Sequence, residues 1–214
     1  MNAHATSLKS ARTKPYHHGD LRHEILSAAR ELLEETGIAA LSLRAVAKKV
    51  GVSHAAPYRH FKDKESLLAG IAAIGFDELS AQMSAAVALY PGDPIAQIKE
   101  AGHRYFKLVM YSPQSVQLMF GNILPCDDTY PDLVESGDLA FDGLKNLIEE
   151  GQSRGDLKAG DVELMALTFW SCIHGFSLLV TGGHVQAAVP APTDNRVLTE
   201  AITSLILAGM QTPE

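Results

Sequence analysis

Cysteine, tryptophan and long apolar runs are all scarce in this sequence. It has two cysteines, Cys126 and Cys172, and one tryptophan among 214 residues. Two cysteines cannot form a disulfide framework or a four-cysteine zinc site, and they favour a reducing, cytoplasmic compartment. The uncharged run Leu164–Val180 is interrupted by His174 and Gly175, and it falls short of the roughly 20 apolar residues of a membrane span. We therefore expect no membrane association, and we expect this run to form a buried helix.

The first residues lack the apolar segment of a secretory signal peptide. Residues 1–19 are instead small, polar and basic, which predicts a flexible arm. The net charge of −7 is unevenly spread, because residues 1–70 hold eleven Lys and Arg against seven Asp and Glu. A basic segment on an acidic protein indicates an anion-binding surface, although a solvated face with a chance excess of charge would give the same count.

Apolar residues recur at spacings of three and four, and no segment alternates as a half-buried strand would. The pattern predicts an all-α fold of about nine helices. Asp20 is the predicted cap of the first helix and Gly37 its predicted end. The others are expected over residues 43–50, 54–60, 63–89, 94–111, 113–120, 131–153, 160–181 and 194–210. Pro91–Pro94 is a strong turn and a candidate boundary, and the 63–89 helix is expected to link two domains, 20–80 and 81–214.

Two short helices separated by a glycine turn lie within residues 41–68. Ser42 is predicted to cap the first and Ser53 the second, with Gly51 at the turn. This layout is a helix-turn-helix, whose second helix, here about residues 53–60, enters the DNA major groove. The first turn of that helix, Ser53–Pro57, is small and polar, which allows a close approach to base edges. The motif therefore predicts a three-helix DNA-binding domain at the amino end.

Basic side chains surround this motif, namely Arg44, Lys48, Arg59, His60, Lys62 and Lys64. Lys and Arg supply most non-specific DNA affinity by neutralising phosphates, and helix amino termini add backbone N–H donors. The alternative is a small helical hairpin with a solvated basic face. The spacing, the small first turn and the basic rim together favour DNA.

Other kinds of site find less support. A cluster of His17, His18, Asp20 and His23 is a candidate metal site, but it contains no pair of ligands four residues apart. We favour a basic arm beside DNA and expect no metal or cofactor. No Ser-His-Asp order, phosphate-binding glycine loop or paired-carboxylate motif stands out, so we expect no enzymatic activity.

Several short motifs occur in register over residues 20–75. They are the Glu-Thr-Gly end of helix one, Ser42-x-Arg44-x-Val46-Ala47, Gly51-Val52-Ser53 and Tyr58-x-x-Phe61-x-x-Lys64-x-x-Leu67-Leu68. In these motifs the segment resembles the DNA-binding domain of TetR-type transcriptional regulators. The one departure is Ala56-Pro57, where that family often has Thr-Leu or Ala-Leu before the tyrosine.

The resemblance implies roles for individual residues. The positions expected to touch phosphates are Ser42, Tyr58, His60 and Lys64. The positions expected to meet bases are Ser53, His54, Ala55 and Pro57. Arg44 completes the expected DNA contacts as part of the basic rim.

A second, shorter resemblance lies in the carboxy-terminal half. Trp170-Ser-Cys-Ile-His174-Gly175 is similar to the Trp…His-Gly motif of one class of TetR-type C-terminal domains, and Tyr-His-His-Gly-Asp-Leu-Arg from residue 16 also occurs with that class. The candidate lining of an effector pocket is Phe106, Met110, Phe120, Met165, Phe169, Trp170 and His174. Such a pocket would take an apolar or aromatic small molecule, and ordinary core packing is the alternative.

The last predicted helix, 194–210, has a wide apolar face that includes Val197, Ile202 and Leu205. With the 160–181 helix it could form half of a four-helix dimer interface, or both could pack within one subunit. The resemblance favours a homodimer. The sequence thus predicts a ligand-responsive repressor that binds a near-palindromic DNA operator. The alternatives are an architectural DNA-binding protein without a ligand and a small helical enzyme using Cys172 and His174.

Overall fold

The computed structural model describes residues 18–125, 128–185 and 194–212, and every regular element in them is helical. The elements are α1 His18–Ala40, α2 Leu43–Val50, a 3₁₀ turn Pro57–Arg59, α3 Lys64–Leu89, α4 Pro94–Tyr111, α5 Pro113–Phe120, α6 Pro131–Ser153, α7 Val162–Thr181 and α8 Asn195–Met210. One isolated bridge joins Leu157 to Gln211. The all-α prediction is confirmed, and the eight α-helices and one 3₁₀ turn of the described residues come close to the expected nine helices.

Several helices begin where the sequence predicts a cap. The Ser42 hydroxyl accepts a hydrogen bond from the Ala45 N–H at 3.2 Å. At α3 the exchange is reciprocal, since Asp63 Oδ1 accepts from the Ser66 N–H at 2.8 Å and Ser66 Oγ accepts from the Asp63 N–H at 3.1 Å. Each contact satisfies a backbone donor that has no partner within the helix. Such local contacts explain why the predicted bounds of α2 and α3 agree with the observed ones.

The amino end of α1 differs from the prediction. The helix begins at His18, ahead of the expected cap at Asp20. Gly37 interrupts it as expected, with φ 75° and ψ 169°, a conformation that glycine adopts without the steric cost of a Cβ. Residues 1–17, which include most of the predicted arm and His17 of the candidate metal cluster, lie outside the described residues.

The predicted recognition helix over residues 54–60 also differs. The chain instead makes a turn and then the short 3₁₀ segment Pro57–Arg59. The Ala56 N–H donates to the Ser53 carbonyl at 3.0 Å and the His60 N–H to the Pro57 carbonyl at 3.0 Å, both across three residues. Pro57 has no N–H with which to donate to the Ser53 carbonyl four residues back, and its ring crowds that carbonyl. The proline therefore tightens this turn.

Two apolar cores share the long helix α3. Leu67, Ile71 and Ala72 belong to the amino-terminal core. From Phe76 onwards the buried residues of α3 belong instead to a second core, which α3 shares with α4–α8. The change of core therefore falls before residue 80, within one uninterrupted helix. The turn Pro91–Pro94, expected as a candidate boundary, instead joins α3 to α4 within the second core.

Helix α7 is buried on one face only. Phe169, Ile173 and Phe176 lie in the core, whereas Leu164 and Leu179 are 61% and 51% exposed. The expectation of a buried helix is thus correct for one face of α7 only. Among the described residues α7 is the one helix long and apolar enough to cross a membrane by length and composition, a test that a core helix also passes.

Candidate nucleic-acid interface and effector cavity

The turn between α2 and α3 forms an exposed, polar and basic surface. Ser53, His54 and Ala55 are exposed, and Tyr58 is 52% exposed although the preceding Pro57 is buried. Helix α2 precedes this turn, and its residues Leu43, Val46 and Ala47 are buried. The amino-terminal core thus holds the turn in place and leaves four of its side chains available to a partner.

The cations around the turn fall into two groups. Lys49 is neutralised, because its ammonium lies 3.0 Å from Glu31 and 3.1 Å from Glu35, and these carboxylates raise its pKa. In the described part of the chain, by contrast, the exposed side chains of Arg44, Lys48, Arg59 and Lys62 make no ion pair. Unpaired exposed cations are suited to neutralising phosphates.

Three predicted DNA-contacting residues have structural partners of their own. The Lys64 ammonium donates to the carbonyls of Ile38 and Ala39 and so holds the chain that follows Gly37. The Ser42 hydroxyl caps α2. Pro57 is buried, so its ring packs inside the domain rather than on the exposed surface where a base contact was expected.

A cavity of about 250 Å³ lies between α3, α4, α6 and α7. Its walls are almost wholly hydrocarbon. The lining residues are Phe76, Leu79, Met83, Ala101, Gly102, Tyr105, Phe120, Gly137, Ala140, Phe141, Leu144, Phe169, Trp170 and Ile173. The Tyr105 hydroxyl and the Trp170 indole N–H are the polar side-chain groups in this set. An apolar pocket with few polar groups is typical of a small-molecule site.

Phe120, the last residue of α5, is the centre of an aromatic cluster at this cavity. Its ring centroid lies 5.2 Å from Phe76 and 5.2 Å from Trp170. It also lies 6.2 Å from Tyr105 and 5.3 Å from the His174 ring. These distances are typical of favourable tilted and edge-to-face aromatic contacts. The short helix α5 therefore ends in the wall of the cavity.

Tyr105 and His174 form the polar contact beside the cavity. The Tyr105 hydroxyl lies 2.5 Å from His174 Nδ1, and Tyr105 is 4% exposed. Burial raises the pKa of the tyrosine hydroxyl and lowers the pKa of His174. Both shifts favour the neutral forms, so the pair is an uncharged hydrogen bond at neutral pH.

The other end of α5 is bound to α1 of the amino-terminal core. Glu34 of α1 accepts hydrogen bonds from the backbone N–H groups of Gln114 and Ser115 at 3.1 and 2.8 Å, and from the Ser115 hydroxyl at 2.6 Å. Beside it, Arg30 forms a bidentate ion pair with Glu78 of α3. A carboxylate at the first turn of a helix is favoured by the helix dipole. One short helix thus connects α1 to the cavity wall.

The outer sides of α7 and α8 form an exposed apolar face. Its large members are Leu164, Leu167, Leu178, Leu179, Val197 and Leu205. The most exposed is Leu205, at 75%. Several large apolar side chains exposed on two helices are typical of an interface with another molecule.

Two family models match this chain over its two structural units. Residues 25–71 match the bacterial regulatory proteins of the tetR family, and residues 98–205, half of the chain, match the tetracyclin repressor-like C-terminal domain. The chain belongs to the TetR family. A solved structure from Rhodococcus sp. RHA1, of a protein with unknown function, aligns with this TetR-family protein at a TM-score of 0.81 and 32% identity, over 94% of this chain and all of the other.

Named relatives match a shorter stretch. The HTH-type transcriptional regulator AcrR of Shigella flexneri is 33% identical over 81 residues, which is 38% of either chain. The tetracycline repressor protein class D of Escherichia coli is 43% identical over 51 residues, covering 24% of this chain and 23% of the relative. The TetR-family protein thus spans well under half the length of these curated relatives.

The cavity includes only some of the residues predicted from the sequence. Phe120, Phe169 and Trp170 line it, and His174 contacts it through Tyr105. The other three predicted residues lie outside the cavity lining. Phe106 stacks on Phe176 with ring centroids 5.5 Å apart. Met165 contacts Gln152, and Met110 packs against the surrounding core. They occupy other turns or faces of α4 and α7, so the cavity does not include them.

Sequence reasoning missed the walls contributed by α3 and α6. Phe76, Leu79 and Met83 recur at spacings of three and four on α3, and Gly137, Phe141 and Leu144 do so on α6. This periodicity indicates a buried stripe, but ordinary core residues produce the same pattern. No local signal marks which buried stripes border a space.

Proposed function

We propose that this TetR-family protein is a ligand-responsive transcriptional repressor that binds a near-palindromic DNA operator as a homodimer in the cytoplasm. The observation that carries the proposal is the position of α5. This helix is held by Glu34 of the DNA-binding domain at one end and ends with Phe120 in the wall of the apolar cavity at the other.

The polar turn between α2 and α3 supports DNA binding. Ser53, His54 and Ala55 are small or polar and exposed, as a surface that approaches base edges requires. Arg44 and Arg59 are exposed beside them with no ion pair within the described residues. We assign base contacts to the first group and phosphate contacts to the second, together with Tyr58 and His60. Lys64 and Ser42 would position the phosphate-binding backbone.

The apolar face of α7 and α8 supports the homodimer. Leu164, Leu178 and Leu205 are each at least 48% exposed, and pairing the face with its copy would form a four-helix bundle. A two-fold axis then presents two recognition turns. They would match a palindromic operator whose two half-sites lie about 34 Å apart.

The connection through α5 supports a response to a ligand. Leu118 of α5 lies in the amino-terminal core, while Val116 lies in the core that surrounds the cavity. A ligand that displaces the Phe120 ring would move α5 against Glu34 and so change the position of α1. The ligand affects DNA binding only to the extent that its affinity differs between the two arrangements.

The enzyme alternative finds no geometric support in the described residues. Cys172 is exposed, whereas the His174 ring lies against Tyr105, Phe120 and Trp170. Residues two apart on a helix do not face each other. The two side chains therefore do not form a nucleophile–base pair.

The test is a selection of genomic DNA fragments by the purified protein, repeated at several salt concentrations. We expect a few near-palindromic sequences to be enriched, with a specific affinity at least about a thousandfold above the non-specific level. Fragments bound without sequence preference, with a steep salt dependence, would instead identify an architectural DNA-binding protein.

A further inference from the structure

The cavity has no charged lining residue among those that the structure describes. Lys145 lies 5.6 Å from the centroid of the Phe141 ring, but its ammonium pairs with Asp142 at 2.7 Å and is not part of the wall. Arg104, next to Tyr105 in sequence, is bonded to Glu100 at 2.7 Å and to Gln82 at 2.7 Å. Neither cation is available to a ligand in the cavity.

The absence of a wall cation limits the charge of the ligand. Burying a carboxylate or phosphate without a partner is very costly. His174 is the one titratable base in contact with the Tyr105 hydroxyl, and burial lowers its pKa. At neutral pH it provides no positive charge either. Fatty acids and other anionic effectors are therefore disfavoured.

The size and walls of the cavity limit the ligand further. A dry cavity of roughly 150 Å³ lined by Leu, Ile and Phe accommodates benzene, and drug-sized ligands occupy about 300–1,000 Å³. The present cavity, about 250 Å³, lies between the two. The rings of Phe120, Phe141 and Trp170 offer faces and edges to a planar molecule.

The polar end of the site is the Tyr105 hydroxyl. The Trp170 indole N–H also donates to this hydroxyl and occupies one of its two lone pairs. If the hydroxyl donates to His174 Nδ1, its second lone pair can accept a hydrogen bond from a ligand, and if Nδ1–H donates instead, the hydroxyl can donate to the ligand. Either arrangement satisfies one polar group of a neutral ligand. A hydroxyl group on the ligand suits either arrangement, because it can both donate and accept a hydrogen bond.

We propose that the effector is an uncharged aromatic molecule of one or two fused rings whose single hydrogen-bonding group binds the Tyr105 hydroxyl. The inference rests on the proposed ligand response and specifies the class of ligand. The His174 imidazole acts as a positioning group, because it orients the tyrosine hydroxyl and does not itself line the cavity.

Three compounds with the same ring system test the proposal by isothermal titration calorimetry on the full-length protein without DNA. They are 2-naphthol, naphthalene and 2-naphthoate. We expect 2-naphthol to bind most tightly, naphthalene roughly tenfold more weakly, and 2-naphthoate at least about a hundredfold more weakly than 2-naphthol. Binding of 2-naphthoate at or above the affinity of 2-naphthol would overturn the proposal, and so would the absence of binding by all three.

Two variants locate the binding. Tyr105→Phe keeps the ring and should weaken 2-naphthol by about 3- to 10-fold while leaving naphthalene within about twofold. Equal losses for both compounds would show that the hydroxyl is not the anchor. Gly137→Leu should abolish binding of both, because a Cβ at Gly137 meets only the Phe76 ring, at 3.8–4.0 Å, and the added side chain fills the cavity. Unchanged binding to this variant would place the site elsewhere and refute the inference.

Because the titrations contain no DNA, they are independent of the proposed function. Binding of 2-naphthol as expected, without release of the operator in a parallel DNA-binding assay, would leave the ligand class standing and contradict the ligand-responsive repressor. Release of the operator by 2-naphthoate, with no effect of 2-naphthol, would support the ligand-responsive repressor and contradict the proposed ligand class.

Discussion

Glu34 accepts hydrogen bonds from the backbone N–H and the hydroxyl of Ser115, although the two residues are 81 positions apart in the chain. The contact joins the end of α1 to the start of α5, and the Ser115 side chain is fully buried. It replaces a local cap with one supplied by the other domain. Damage to this contact should therefore affect both the stability of the fold and communication between its halves.

Replacing Glu34 by alanine should lower the free energy of unfolding by about 1–2 kcal/mol, the usual cost of losing a helix amino-terminal cap. The matched control is Glu35→Ala, which removes an adjacent carboxylate whose exposed ion pair with Lys49 contributes about 0–1 kcal/mol. Urea denaturation of both variants measures the difference. Equal losses would mean that the cap on α5 contributes little.

Replacing His54 by alanine should change which operator bases are preferred, because this exposed side chain lies in the turn between α2 and α3. A base contact is worth about 1–3 kcal/mol of discrimination at one position of each half-site. Selection from a randomised operator library with the wild type and the variant measures the change. A uniform loss of affinity for every sequence would make His54 a phosphate contact or a structural residue.

Replacing Arg59 by alanine should reduce the slope of log affinity against log salt by about one for each half-site, since one phosphate-neutralising charge is lost per subunit. Lys49→Ala is the control, because Glu31 and Glu35 already neutralise Lys49. Fluorescence anisotropy with a labelled operator at several salt concentrations gives both slopes. If the Lys49 variant changes the slope more than the Arg59 variant, the interface lies on the other side of α2.

Replacing Leu205 by glutamate should convert the proposed homodimer into monomers and abolish tight operator binding, because the side chain is 75% exposed on the apolar face of α7 and α8. A charge there opposes burial in a dimer but costs little in the isolated subunit. Leu139→Glu is the control, since Leu139 is 56% exposed on α6, a helix that is not part of that face. Sedimentation velocity should show monomers only for the Leu205 variant. A folded Leu205 variant that stays dimeric would move the interface elsewhere.

The stability of the protein should decrease as the pH falls below about 6.5, the pKa of histidine in an unfolded chain. Burial lowers the pKa of His174 and of His103 in the folded protein. Between each lowered pKa and 6.5 the unfolded chain binds more protons than the folded one, so acid favours unfolding. Above 6.5 both states are neutral at these residues and the contribution is fully present.

Comparison of His174→Gln with the wild type at pH 7.5 and 5.5 measures the share of His174 in this pH dependence. The variant should lose less stability than the wild type between the two values, since glutamine does not titrate. His54→Gln, at an exposed position, should lose as much as the wild type. A His174 variant as acid-sensitive as the wild type would contradict a lowered pKa.

The sequence by itself determined most helix ends, because apart from the start of α5 they depend on contacts within a few residues. The caps Ser42 and Asp63 bond to N–H groups three positions ahead, and proline or glycine breaks separate α3, α4 and α5. The helix-turn-helix could be recognised for the same reason. Even there the turn around Pro57 came out as 3₁₀ rather than α-helical, since one missing N–H changes the local bonding.

Only the tertiary structure decided which side chains meet. The cavity depends on how α3 and α6 pack against α4 and α7, and periodic apolar stripes look alike whether they border a space or a filled core. The contact of Lys64 with the carbonyls of Ile38 and Ala39 joins residues more than 20 positions apart, and that of Glu34 with Ser115 joins more distant ones still. Such contacts arise from the packing of whole helices, and no local pattern in the chain encodes them.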